Sequence, residues 1–189
     1  MELKQKGHAT IIQQFNQLTI SMKWSTAADF DLAAVYETKK SEQGIVYFGD
    51  LGNLDQFPYI SLNKDEGRGD TGGDKEEIMQ ISRLDDMNFI WILCWDYRMA
   101  QEGKSARFKD SDVNLVITND TGNTMSVQID TGDLGNVCCI ASIDNTQTQG
   151  PKLVNMSRAG TLKGLKSLEQ LVNIVRQEES EPTPEVLII

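Results

Sequence analysis

Histidine is almost absent from this 189-residue chain, and His8 is the only one. No recognisable motif follows it, so neither a Ser-His-Asp triad nor a histidine-based metal centre is readily assembled. Cysteine is scarce as well. Cys94, Cys138 and Cys139 are odd in number, lie inside apolar runs and lack CxxC or Cys/His spacing. That argues against a disulfide framework or a zinc site and suits buried thiols in a reducing compartment. Positive charge is in deficit: 18 Lys and Arg against 28 Asp and Glu leave a net charge of -10. Such a balance opposes the phosphate neutralisation on which nucleic-acid affinity rests, and anionic membranes are equally poor partners. No apolar run approaches the roughly 18 residues of a membrane span, and the first eight residues lack the apolar core of a signal peptide. Together these absences predict a cytoplasmic protein with no nucleic-acid partner, no membrane insertion and no catalytic role.

What is present reads as strands. Leu18, Ile20, Met22 and Trp24 alternate with Thr19, Ser21 and Lys23, the period of a strand with one wet face. Further short, turn-bounded strands are expected over 32–36, 45–48, 59–62, 78–81, 88–95, 113–118, 124–129 and 137–143. Turns such as Gly52-Asn53 and Thr121-Gly122-Asn123 favour antiparallel connections over βαβ crossovers. The prediction is a mainly β protein, an antiparallel β-sandwich. Asn88 to Trp95 is almost continuously apolar and should be a central strand covered on both faces, ending at Asp96 where a loop begins. Leu162, Leu165, Leu168, Leu171, Val172 and Val175 recur at three- and four-residue steps, predicting an amphipathic C-terminal helix packed on the sandwich. Length suits one domain over 17–176, with an N-terminal extension over 1–16 and a flexible acidic tail over 177–189.

The most informative stretch runs from Asn63 to Glu77, where six carboxylates and four glycines share fifteen residues. Glycines let the backbone fold back so that several oxygens converge, and Ca²⁺ takes six to eight oxygens in flexible geometry. A solvated loop with nothing bound has the same composition, so both readings stand on the residues alone. An EF-hand is not formed: from Asp65 the third and fifth places hold Gly67 and Gly69, and Asp70 sits where that loop needs glycine.

Four segments resemble the TerD family of tellurium-resistance, calcium-binding stress proteins. Met22-Lys23-Trp24 and then Ala28-Asp29-Phe30-Asp31-Leu32-Ala33-Ala34 are similar to the family's Gly-Trp and Asp-Phe-Asp-Leu-Asp-Ala segments. Lys64 to Ile78 aligns without a gap on its Gly-Asp-Asn-x-Thr-Gly-x-Gly-x-Gly-Asp-Asp-Glu-x-Ile motif, with Asp65, Gly69, Gly73, Asp74, Glu76 and Ile78 on identical types. Asp96 with the stretch around Arg107, Phe108 and Asn114 resembles the next acidic loop and strand, and Gly160 to Leu165 the closing helix start.

The resemblance implies a β-sandwich whose loops gather two acidic segments around calcium, usually two ions, with a role in tellurite or chemical stress resistance and protein partners in a stress-resistance complex. It makes Asp29, Asp31, Asp65, Asp74 and Glu76 the expected ligands, with Asp96 a further one. Ala33, Glu66 and Lys75 depart from the family's pattern on acidic or amide positions, and the Lys75 ammonium would repel a nearby divalent ion. One of two sites would then be weakened or lost. The other function class is a calcium-dependent ligand-binding module, lectin-like or an adaptor, with Trp95 and Tyr97 as the exposed aromatics and Trp24 and Trp91 in the core.

Overall fold

The computed structural model describes residues 1–63, 74–164 and 167–176. Alternation along the strands builds two stacked sheets. The first has seven strands, in the order Glu2–Leu3 (β1), Thr124–Gln128 (β12), Asn114–Asn119 (β11), Leu18–Trp24 (β3), Lys75–Ile81 (β8), Ile60–Leu62 (β7) and Gly52–Asn53 (β6). The second has six: Ala9–Ile11 (β2), Lys152–Gly160 (β15), Val137–Asp144 (β14), Met87–Asp96 (β9), Phe30–Thr38 (β4) and Gln43–Val46 (β5). Ala106–Arg107 (β10) and Leu134–Gly135 (β13) form a short ribbon at one end. Except for the parallel β1–β12 pair, the strands pair antiparallel, the expected β-sandwich, although Gly52-Asn53, expected as a turn, is itself the edge strand β6 paired with Ile60 and Ser61. No helix among the described residues is long and apolar enough to cross a membrane.

The core lies between the sheets. Leu18, Ile20, Met22, Met79, Ile81, Leu115 and Ile117 from the first meet Leu32, Ala34, Ile90, Ile92, Cys94 and Ile140 from the second. The second sheet is also covered on its far side. There Ala33, Val35, Trp91, Leu93 and Trp95 pack against Leu171, Val172 and Val175 of the helix Leu168–Arg176 (α2). Burial on both faces is why the Asn88 to Trp95 run lacks polar alternation. Full burial of each helix side chain contributes about 1.5–3 kcal/mol, which holds a helix of this length in place.

Three local expectations are corrected. The helix does not begin at Leu162: that residue lies outside it, held by Asn136, whose Oδ1 accepts the Leu162 N–H at 2.7 Å and whose Nδ2 donates to its carbonyl at 2.7 Å. Leu162 still packs with the helix cluster, so its spacing was a genuine burial signal read as helix. Residues 1–16 are not outside the sandwich, because β1 joins the edge of the first sheet and β2 the edge of the second. Strand β15 had no strand pattern to announce it. Two of its inward positions are the fully buried polar residues Asn155 and Ser157, tolerated because Asn155 Nδ2 donates to the carbonyls of Leu3 and Gln128 at 2.8 Å each. The acidic tail over 177–189 and Leu165 lie outside the described residues.

Candidate functional site

Strand register gathers the predicted acids at one end of the sandwich. Strand β3 stops at Trp24 opposite Lys75, the first residue of β8, while β4 starts at Phe30 opposite Asp96, the last of β9. Two contacts join these ends across the sheets. Glu77 Oε2 accepts the backbone N–H of Leu32 at 2.6 Å, and Lys75 Nζ donates to the Ala28 carbonyl at 3.1 Å. The stretch bearing Asp29 and Asp31 and the end of the glycine-rich stretch therefore meet in space.

Pleating then sends the acids to different faces. Asp31 is 8% exposed on the helix side of the second sheet, where its Oδ2 accepts the indole N–H of Trp95 at 3.0 Å. Asp29 lies just before β4, and its carbonyl accepts the Tyr97 N–H at 2.9 Å. Glu76 faces outward on the first sheet, hydrogen-bonded to the Ser21 hydroxyl and 3.6 Å from Lys23 Nζ. Asp74 opens onto an outer groove of about 470 Å³ that it shares with Lys23, Glu76 and Asp112. Asp96 caps the helix Tyr97–Glu102 (α1), its Oδ1 accepting the Met99 N–H at 2.9 Å. Asp65 lies outside the described residues. Among the described residues no three His, Cys, Asp or Glu side chains converge as a metal cage.

Trp95 was expected at the surface beside Asp96; it is fully buried. Its parity along β9 matches Trp91 and Leu93, which places all three beneath α2. Tyr97 is exposed, and its ring meets that of the exposed Phe48 edge to face at 5.7 Å. Trp24 and Trp91 are core residues, as the alternation predicts.

Three residues matter here beyond those singled out as ligands. Lys75 points inward rather than to water, with its ammonium on the Ala28 carbonyl and 6.0 Å from the Trp24 ring centroid. That carbonyl also accepts the Trp24 indole N–H at 3.1 Å, so it is a converging point for donors. Glu77 shares the inward parity of Met79 and Ile81 and is 5% exposed. Asp112 anchors the Ser25–Thr26 loop, accepting Thr26 N–H at 3.0 Å, its hydroxyl at 2.6 Å and Ser25 N–H at 2.8 Å. Burial pushes the Asp112 carboxyl up, but the bonds from Ser25 and Thr26 outweigh it and hold the group well below the usual carboxylate range. Parity with Met79 could have revealed Glu77; Asp112 acts on residues 86 and 87 positions away and has no local signal.

The cysteines offer no nucleophile. Burial raises all three thiols, that of Cys138 to about 12, and carboxylates at this end push Cys94 higher still.

The fold is similar to that of two solved structures, one of them described as a TerD homologue. A crystal structure of a homologue of the telluride resistance protein TerD from Streptomyces coelicolor A3(2) superposes with a TM-score of 0.56, covering 85% of this chain and 96% of that one at 13% identity. The crystal structure of SAV2460, a protein of unknown function, matches with a TM-score of 0.53 over 77% of this chain and 92% of that one at 15% identity. Likeness at these identities establishes the fold. No protein-family model and no curated protein matches the chain.

Proposed function

We propose that this protein is a non-catalytic, calcium-binding β-sandwich of the TerD type that serves in tellurite or chemical stress resistance in the cytoplasm. The observation that carries the reading is the docking of the start of β8 onto Ala28–Leu32 through Lys75 and Glu77, which gives the two acidic stretches a common end of the fold. Asp29 and Asp31 from one stretch, and Asp74 and Asp65 from the other, are the carboxylates that would supply hard-oxygen donors suited to calcium, and because Asp31 and Asp74 face opposite sides of this end they would serve separate ions rather than share one. Glu76 and Asp96 are secondary, since one is engaged by Ser21 and Lys23 and the other caps α1. Calcium, when bound, neutralises the negative charge of the acids at this end and so stabilises the native state. At about a hundredfold above Kd that linkage stabilises the native state by about 2.7 kcal/mol. Non-catalysis is supported by the buried thiols and by His8, which sits beside Asn155 on β15 rather than with the acids.

Calorimetric titration with CaCl₂ on the wild type, Asp31→Asn and Asp74→Asn tests the assignment. Saturable heat that weakens in both variants is expected; no heat, and a melting temperature unmoved by millimolar calcium, would sink it. The biological half is tested by challenging a deletion strain with tellurite, where unchanged growth refutes the resistance role.

A second reading is a calcium-dependent ligand-binding module, lectin-like or an adaptor. Phe48 and Tyr97 favour it, since these exposed rings meet edge to face and Phe48 lies against Trp95, which holds Asp31. Glycan binding that requires both calcium and Tyr97 would support this reading over the first.

A further inference from the structure

A second site lies on the far face of the second sheet, independent of the acidic end. Directly opposed residues in a sheet share a face, and the register sets Glu37 on β4 and Asp144 on β14 on either side of Phe89 on β9. The next row on that face is Val35, Trp91 and Ser142. Phe89 and Trp91 stack at 5.3 Å between centroids with 15° between planes, flooring a cavity of about 370 Å³ closed on one side by Val175 and Arg176 of α2. That volume lies within the range of small-molecule sites. Two carboxylates therefore flank an aromatic stack, separated by two strand spacings, roughly 9–10 Å between backbones.

One half of this arrangement already holds a cation. The Arg176 guanidinium pairs with Glu37, whose side chain is only 12% exposed, and lies 5.8 Å from the Trp91 ring centroid. A buried carboxylate is stable only with such a partner, and the face of an indole attracts the same charge. The other half is differently furnished. Asp144 Oδ1 accepts the Thr146 N–H at 2.9 Å and its hydroxyl at 2.6 Å, while Oδ2 takes only a long bond, 3.3 Å, from Gln147. Burial pushes this carboxyl up, but the Thr146 and Gln147 bonds and the neighbouring Lys152 outweigh it and keep the group ionised. Lys152, opposite Asp144 on β15, is the cation that competes there.

We propose that this cavity binds a small organic cation, an ammonium or guanidinium carried on an apolar body, with the body against Phe89 and Trp91 and the charge at Asp144. Arg176 is the built-in occupant of the Glu37 half, showing the recognition chemistry in place. A net charge of -10 steers such ligands toward the protein. The test is titration with 2-phenylethylammonium, following the Trp91 indole N–H by NMR, with 2-phenylethanol as the uncharged control. A saturable shift from the amine alone is expected. Asp144→Asn should weaken it at least about tenfold, and Lys152→Met, which removes the competing ammonium without touching the Thr146 turn, should tighten it several-fold. No saturable shift, an equal shift from the alcohol, or affinities unchanged in both variants would overturn the proposal.

Discussion

Glu77 joins the two sheets where the acidic stretches meet, and its removal has a calculable effect. Strand β5 pairs with β4 only from Ala34 onward, so the ladder on that side of β4 ends two residues short of Leu32. The Leu32 N–H is satisfied instead by Glu77 Oε2 at 2.6 Å, a charge-assisted bond between residues 45 positions apart. Glu77→Gln keeps an acceptor but removes the charge and should cost about 1 kcal/mol. Glu77→Leu fills the space yet orphans a buried donor; losing a bond to a charged group and leaving its partner unpaired costs about 3 kcal/mol. For a domain of this size about 3 kcal/mol lowers the melting temperature by roughly 6–12 °C. Thermal unfolding by circular dichroism, with urea titration at constant m-value, measures both variants. If Glu77→Leu melts within about 1 °C of the wild type, the carboxylate does not bridge the sheets and the joining of the two acidic stretches loses its main support.

Lys75→Met removes the ammonium from the Ala28 carbonyl. Calcium-free stability should fall by about 1–2 kcal/mol while calcium affinity rises, and a calorimetric titration showing equal or weaker binding would contradict the charge argument. Asp112 titrates below its unfolded value of about 3.9, so the stability it contributes is present above that pH and is lost as pH falls further. Asp112→Asn should therefore cost about 1 kcal/mol at pH 7, after discounting for solvent screening, and flatten the acid limb of a stability profile between about pH 4 and 2. Cys94, Cys138 and Cys139 should resist a thiol reagent at pH 8 in the native protein and react together once it is unfolded. Rapid labelling of the folded chain, followed by mass spectrometry, would show that the second sheet opens.

The sandwich was legible because apolar alternation in β3 and the unbroken run of β9 report burial on one face and on two, and burial is a property of each side chain. The helix stripe was legible for the same reason, and its start was misplaced for the same reason: Leu162 is as buried as a helical leucine but is pinned outside the helix by Asn136. Strand β15 stayed hidden because its inward Asn155 and Ser157 are satisfied by bonds with distant segments, Asn155 donating to the Leu3 and Gln128 carbonyls and Ser157 accepting the Asp130 N–H, a compensation that no local window contains.

By itself, the order of residues determined that acids would collect near Asp29 and Asp74, that the cysteines would be buried and that no histidine would join them. Only the tertiary structure decided which side chains turn inward. A pleated strand reverses direction at every residue, so a shift of one position exchanges Asp74 and Glu76 for Lys75 and Glu77 at the junction of the sheets. Composition is indifferent to that shift, whereas the electrostatics of the site depend on it entirely.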